Sequence, residues 1–258
     1  ARLGIASSLV SMKKSGTSAF CDFREGGVEG IKLLKSVLNM PARILGRPTG
    51  SEDIMEHCDG LGISSIRDYR GEELKRMLRG REGRLVGIHA GECEDDVEEA
   101  LQIDPDFVVH LTNAGEKSLK EVFKKRIPIV LCPRANGSFG VGIPNLKRIL
   151  ESECLVALGT DNVMANSTNM LREMEFLFKL YRGLYKDRTV DAKIVLRAAT
   201  IKGRRLLGLP DNAIKEGNTA DFIITRGLEF AHDPVLALVH RLERGDIKAV
   251  VNPPFQAP

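Results

Sequence analysis

Short apolar runs recur along the chain, and each is followed by a more polar stretch. The runs cover residues 17–21, 42–46, 60–64, 85–88, 107–109, 128–131 and 154–158. Their centres are roughly 18 to 27 residues apart, about the length of one strand-plus-helix unit. The runs are nearly continuous in apolar residues, which predicts parallel strands that are buried on both faces of a sheet.

The stretches around these runs carry apolar residues at helical spacing. This spacing predicts helices over residues 28–38, 72–78, 95–101, 146–150, 168–181 and 190–207, and a helical segment ahead of the first run. Thr168 is the expected N-cap of the fifth of these helices. From Ala213 onward the pattern changes to short β-like pieces, 220–225 and 247–252, which are too few to bury a core alone.

Seven strand–helix units in series predict an α/β protein with an eight-stranded β/α barrel. The count is one strand short, and an open barrel would leave unpaired strand edges. Because the sequence begins with Ala1 and not with methionine, we expect the first strand to lie upstream of it. We expect residues 1–208 to form the barrel domain and residues 209–258 to contribute remnants of a small β-sandwich.

The amino-acid composition and the net charge exclude several classes of protein. The chain has 258 residues, 43% hydrophobic and 28% charged, near the average of globular proteins, which excludes a disordered or collagen-like chain. No apolar run approaches the ~20 residues of a membrane helix. A net charge of +3 with interspersed signs gives little support for nucleic-acid binding. The five scattered cysteines, without a C-x-x-C pair, predict reduced thiols in a cytoplasmic protein.

Ionisable residues follow three of the apolar runs. His89 and Glu92 follow the fourth run, His110 the fifth and Asp161 the seventh. Because the carboxyl ends of barrel strands meet at one rim, we expect these side chains to converge. Imidazole and carboxylate groups are ligands that zinc and iron(II) accept, and a bound metal lowers the pKa of its water to about 7.

Each of these residues also has an ordinary structural interpretation. A single histidine at a strand end is more often a hydrogen-bonded loop or core residue than a metal ligand, and Gly-Thr-Asp is usually a turn. Two of only five histidines nevertheless lie at the ends of adjacent predicted strands, and this coincidence favours a metal site. His57, His232 and His240 have no such placement.

Several motifs occur together in one order along the chain. They are His89-Ala90-Gly91-Glu92, His110-Leu111-Thr112-Asn113, Cys132-Pro133-Arg134-Ala135-Asn136, Leu158-Gly159-Thr160-Asp161-Asn162 and Met170-Leu171-Arg172-Glu173-Met174. The set closely resembles the metal-dependent amidohydrolase superfamily, in the branch of cytosine, guanine and S-adenosylhomocysteine deaminases and triazine chlorohydrolases. The resemblance covers roughly residues 16–252.

The resemblance implies a hydrolytic deaminase of an aminated purine or pyrimidine, or of an adenosine-related nucleoside. It implies one divalent metal, zinc or alternatively iron, with His89, His110 and Asp161 as ligands. Asp161 would also accept a proton from the attacking water, and Glu92 would protonate a ring nitrogen of the substrate. His110 would orient the water or serve as a ligand. The expected partner is a small-molecule substrate.

Other polar residues near the predicted rim are candidates for substrate binding. Arg134 and Asn136 follow the sixth run, and Arg24 and Glu25 follow the first, so both pairs are expected to face the pocket. The alternative is that the charged residues are solvated at the rim or form a salt bridge to a neighbouring loop. A rim arginine suits a carboxylate or phosphate on the substrate, which favours a nucleoside derivative over a bare base. Asn113 and Asn162 either hydrogen-bond a purine edge or support loop turns.

One feature of that branch is missing from the sequence. The branch carries a His-x-His pair at the end of strand one, and no His-x-His occurs here. An upstream segment explains this absence together with the missing strand. The alternatives are hydrolysis of a C–N or C–Cl bond in another small heterocycle or cyclic amide, or a catalytically silent barrel that acts as a binding module. Barrels of this kind often pair, so a homo-oligomer is an open expectation.

Overall fold

The parallel sheet predicted from the sequence is present. The structure is a computed structural model that describes residues 1–48, 54–69, 71–79, 81–210 and 212–252. Its parallel strands are β1 (Phe20–Arg24), β2 (Ala42–Gly46), β3 (Gly60–Ile63), β4 (Leu85–Ala90), β5 (Phe107–His110), β6 (Ile129–Leu131) and β7 (Val156–Leu158). They pair in chain order from β1 to β7, the strand order of a β/α barrel, which confirms the predicted fold class.

Helices connect the strands and continue after β7. They are α1 (Arg2–Lys14), α2 (Gly27–Lys35), α3 (Gly71–Arg79), α4 (Val97–Ala100), α5 (Glu116–Lys124), α6 (Pro133–Phe139), α7 (Leu146–Glu151), α8 (Met170–Tyr185), α9 (Ala192–Ala199), α10 (Ile201–Leu206) and α11 (Pro234–Arg241). Short 3-10 turns occupy Ile54–His57, Ile66–Asp68, Leu101–Ile103 and Arg244–Asp246. None of the helices in the described ranges is both long and apolar enough to cross a membrane.

The inner face of the sheet is filled by aromatic rings packed over glycines. A Cβ atom on Gly62 would lie 2.6 Å from Cγ of Phe23, and one on Gly87 would lie 2.3 Å from Cζ of Phe107. These distances are too short for two carbon atoms, so both positions require glycine unless the rings move. The Phe23 ring in turn lies 5.1 Å from the His89 ring, which sits above it on the same face.

Several predicted helices differ from the observed ones. The single helix predicted over 190–207 is two helices, because Thr200 leaves helical geometry with φ −126° and ψ −98°. Helix α8 is capped by Asn169, whose Oδ1 accepts a hydrogen bond from the Leu171 amide at 3.0 Å, and not by Thr168. Helices α5, α6 and α11 were not predicted. α11 begins at Pro234 after Asp233, whose carboxylate accepts a hydrogen bond from a first-turn amide.

The C-terminal segment contains a small antiparallel sheet, as the sequence predicts. Strands β8 (Phe222–Thr225) and β9 (Ile247–Val251) pair with each other. Between them, α11 packs against α8 and α9, and Val239 and Leu242 join the main hydrophobic core. The division into domains at residue 208 stays a prediction.

Candidate active site

Three of the predicted side chains meet at the carboxyl ends of β4 and β5. Nε2 of His110 lies 3.3 Å from Nδ1 of His89. Oε2 of Glu92 lies 3.8 Å from Nδ1 of His89 and 3.6 Å from Nε2 of His110. The pairing of the strands explains why the two histidines lie close together. Strands β4 and β5 are adjacent and parallel, and His110 is paired with Ala90, the residue that follows His89.

Asp161 lines the same cavity as the cluster. This cavity has a volume of about 1490 Å³, and His89, Glu92 and Asp161 all line it. Asp161 follows β7, at the opposite end of the strand order from β1. Its charge acts on His110, whose pKa it tends to raise. The structure therefore brings Asp161 into the cavity of the cluster, and its part in holding a metal stays a prediction.

The His110 ring is fixed from behind by Asn136. The two side chains are buried, and Nδ1 of His110 lies 2.8 Å from Oδ1 of Asn136. The Asn136 amide nitrogen donates to Oγ1 of Thr112 at 3.0 Å, which assigns the amide oxygen to the histidine. Because an amide oxygen only accepts, Nδ1 of His110 carries the proton and Nε2 presents its lone pair to the cluster.

The charges in the cluster suit a cation. Burial is the main cause that lowers the pKa of His110, and the neighbouring His89 lowers it further, so the ring is neutral at pH 7. The nearby His89 is the main cause that lowers the pKa of Glu92, so this group is a carboxylate. Metal ligation requires these forms, neutral imidazole and ionised carboxylate.

The backbone at the site adopts conformations that side chains disfavour. His110 has φ 78° and Asp161 has φ 56°, both in the left-handed region. Such conformations cost about 1–3 kcal/mol and persist only where surrounding contacts hold them. Next to His110, the Leu111 amide donates to the carbonyl of Ala90 at 3.0 Å. Nothing in the sequence pattern signals this strain.

The loop that carries Glu92 is tied down by its own hydrogen bonds. The carboxylate of Asp96 accepts a hydrogen bond from the Gly91 amide at 2.7 Å. The Asn113 side-chain nitrogen donates to the carbonyl of Glu92 at 2.5 Å and to that of Val141 at 3.2 Å. Asn113 thus has the loop-supporting role that was one of its two interpretations, and Asp96 is a site-organising residue that sequence reasoning missed.

The residues present fit a divalent metal. Ligand atoms of His89, Glu92 and His110 all lie within 4.8 Å of one another. Two imidazole nitrogens and a carboxylate form a donor set that zinc and iron(II) accept, and catalytic zinc uses three protein ligands and leaves a position for water. Asp161 offers a further carboxylate to the same cavity.

Arg134 and Asn136 lie behind the site and are not among the described residues that line the large cavity. Arg134 forms an ion pair of 3.2 Å with Glu173 of α8, which is fully buried. Its guanidinium also donates to the carbonyl of Ser167 at 3.4 Å and to Oδ1 of Asn166 at 3.3 Å. A buried carboxylate needs such a partner, so Arg134 is drawn away from the cavity and connects α6 and α8 to the loop after β7.

The remaining rim candidates do lie at the cavity. Arg24 and Asn162 both line it. Arg24 is paired with Asp22 at 3.1 Å. Oδ1 of Asn162 accepts hydrogen bonds from the amides of Met164 and Ala165 at 3.1 Å, which makes it a turn residue as well.

The buried Glu173 predicts a pH dependence of stability. Burial raises its pKa from 4.5 to about 7, although Arg134 opposes the shift. A raised pKa in the folded state gives stability that is fully present below about pH 4.5 and is lost as the pH rises through about 7. We expect Glu173→Gln to flatten the fall in melting temperature between pH 5 and pH 8. Thermal unfolding at unit pH steps measures this.

The matched control for that prediction is Glu175→Gln. Glu175 lies on the same helix and pairs with Lys179, with 37% of its side chain exposed. Its replacement should leave the pH dependence of the wild-type protein unchanged. Equal pH slopes for wild type and Glu173→Gln would contradict the assignment to Glu173.

Comparison with known proteins is consistent with this site. The sequence profile described as the amidohydrolase family matches residues 72–252. An uncharacterized protein of Methanocaldococcus jannaschii is 34% identical over 278 residues, which cover 95% of this chain and 71% of that protein. A 5-methylthioadenosine/S-adenosylhomocysteine deaminase of Thermococcus onnurineus is 28% identical, over 86% of this chain and 62% of that protein.

Two solved structures share the fold. An adenosine deaminase from Xanthomonas campestris with bound zinc superposes with a TM-score of 0.77 at 16% identity, over 97% of this chain and 68% of that one. Guanine deaminase of E. coli superposes with a TM-score of 0.76 at 19% identity, over 97% of this chain and 73% of that one. With the profile match over most of the sequence, the chain belongs to the amidohydrolase family and is a metal-dependent hydrolytic enzyme.

Proposed function

We propose that this protein deaminates an aminated purine or pyrimidine, or an adenosine-related nucleoside, by hydrolysis. The observation that carries the proposal is the cluster of His89, Glu92 and His110, whose ligand atoms lie within 4.8 Å of one another. Asp161 lines the same cavity. Support for the substrate class comes from relatives named 5-methylthioadenosine/S-adenosylhomocysteine deaminase and from the fold neighbours named guanine and adenosine deaminase.

In this proposal His89, His110 and Asp161 hold one divalent cation, zinc in the first place and iron as the alternative. When bound, the cation supplies a water whose pKa is lowered to about 7. His110 would bind the cation through Nε2, the nitrogen that faces the cluster, or in its alternative role would use this same nitrogen to orient the water. Asn136 keeps this nitrogen free of a proton by engaging Nδ1.

The carboxylates move the protons. Asp161 accepts one proton from the water as the oxygen adds to the amidine carbon of the substrate. Glu92, after it has acquired a proton, delivers that proton to the ring nitrogen next to this carbon. Asp161 then passes its proton to the amino group, ammonia leaves, and Glu92 regains a proton from the new hydroxyl as the carbonyl forms. The net reaction consumes one water and releases one ammonia.

The proposed substrate contacts follow the positions of the rim residues. Asn162 and Arg24 line the cavity, and in this proposal they contact the substrate directly. Asn113 acts through the Glu92 carbonyl, to which it donates. Arg134 and Asn136 act from behind the cavity wall. Arg134 acts through the loop after β7, and Asn136 acts through His110.

An ammonia-release assay tests the proposal. The full natural protein, loaded with zinc or iron(II), is incubated with adenosine, S-adenosylhomocysteine, cytosine and guanine. We expect ammonia from at least one of them. Metal-loaded protein that releases none from any of the four would reject deamination of this substrate class and favour the C–N or C–Cl hydrolase alternative.

Replacing Asn136 tests its role in presenting His110. Asn136→Leu removes the acceptor for Nδ1 of His110 and is expected to weaken zinc affinity by about 10- to 100-fold, the usual effect of losing a partner of a ligating histidine. Competition titration with a chromophoric chelator measures the affinity. Asn136→Asp retains an acceptor oxygen and should bind zinc nearly as tightly as wild type. Equal losses in both variants would reject the hydrogen-bond explanation.

A further inference from the structure

A second cavity lies at the opposite end of the sheet from the cluster. Its volume is about 460 Å³. The wall includes Arg43 near the start of β2, Asp59 just before β3, and Arg84 just before β4. Arg205 and the residues that follow it close the wall from the end of α10. The catalytic mechanism uses none of these residues.

The arginines of this cavity differ from the other half-buried arginines of the described chain. Most of those others pair with a carboxylate, and Arg182 lies over the Phe178 ring. The paired ones are Arg24, Arg47, Arg81, Arg134, Arg148 and Arg204. Across the described residues, Arg43 and Arg84 are half-buried and form no ion pair, and both line this one cavity.

The polar contacts in the wall leave its charge uncompensated. Nε of Arg43 donates to the carbonyl of Leu207 at 3.0 Å, and Arg84 donates to the carbonyl of Met55. These carbonyl groups are neutral. The carboxylate of Asp59 accepts a hydrogen bond from the Ile44 amide at 2.8 Å. With Arg205 at the exposed rim, the lining holds three arginines and one aspartate, an excess of two positive charges.

We propose that this cavity binds a phosphate group, free or carried by a small molecule. A partly desolvated cation without a partner is unfavourable, and a bound dianion would offset the excess charge. The planar guanidinium presents paired N–H donors that match phosphate oxygens. Leu85 and Leu206 also line the cavity, so it offers apolar surface to the remainder of a phosphorylated ligand.

Calorimetric titration with inorganic phosphate, at constant ionic strength set with chloride, tests the site. We expect saturable binding to the wild-type protein. Arg205→Ala should weaken it by about tenfold, because it removes one of the charged donors to the phosphate oxygens. Arg205 is exposed, so its replacement should not disturb folding. Arg84→Gln is a second variant within the wall, and melting temperatures confirm that both variants are folded.

Arg241→Ala is the matched control. Arg241 is exposed on α11 and lies outside the cavity lining, so its loss should leave phosphate affinity unchanged. Ribose 5-phosphate serves as a second probe. Tighter binding of this probe than of inorganic phosphate identifies a phosphorylated small molecule as the ligand, and equal binding identifies the free ion. Absence of saturable binding, or wild-type affinity in both Arg205→Ala and Arg84→Gln, would overturn the proposal.

Discussion

His89→Ala and Asp161→Ala are each expected to strip the protein of its metal and to abolish ammonia release. His89 supplies a nitrogen to the cluster, and Asp161 supplies a carboxylate to the same cavity. Losing an outer partner of a ligand costs about 10- to 100-fold in metal affinity, so losing a ligand should cost at least about 100-fold. Elemental analysis of the purified variants gives the metal content per chain, and the ammonia assay gives the rate.

His57→Ala is the control for those two variants. His57 closes a short 3-10 turn ahead of β3, outside the lining of the large cavity. The His57→Ala variant should retain the wild-type metal content and the wild-type rate of ammonia release. Circular dichroism separates loss of metal from loss of fold in all three proteins. Wild-type metal content in both His89→Ala and Asp161→Ala would remove the proposed metal site.

Glu92→Gln is expected to lower the rate by about 10²- to 10⁴-fold while the protein keeps its metal. Glutamine matches the size of glutamate but cannot deliver a proton to the ring nitrogen. Glu92 lies close to both histidines, at 3.8 Å and 3.6 Å, so its geometry also fits a ligand. Measuring rate and metal content together distinguishes the two roles.

The outcomes for Glu92→Gln are distinct. Loss of rate with full metal content supports the role in proton transfer. Simultaneous loss of metal would make Glu92 a ligand, and an unchanged rate would exclude both roles. Glu94→Gln is the control, because Glu94 is an exposed neighbour that pairs with Arg67 on the surface.

The sequence alone was enough to predict the parallel sheet. It was also enough to predict that the side chains of His89, Glu92 and His110 lie close together. Strands buried on both faces produce continuous apolar runs, and parallel strands bring their carboxyl ends together. His89 and His110 could therefore be placed at one rim from their positions after two apolar runs. Their closeness follows from the pairing of β4 with β5.

The parts that sequence reasoning missed depend on contacts between distant residues. A salt bridge was one of the interpretations of Arg134, but the sequence did not identify its partner Glu173, which is 39 residues away on α8 and buried. Asn136 was expected to bind substrate, and it lies 26 residues from the histidine that it holds. Helix α5, by contrast, carried a usable signal, because its buried Leu119 and Val122 have helical spacing.

The left-handed backbone at Asp161 has a consequence for engineering this protein. With φ 56°, position 161 suits glycine best, because a side chain there crowds its own backbone, although aspartate tolerates this conformation better than most residues do. A redesign that optimised stability alone would favour glycine at this position and would discard the carboxylate. Thermal stability and catalysis therefore favour different residues at position 161. Selection of a thermostable variant must include retained activity as an explicit criterion.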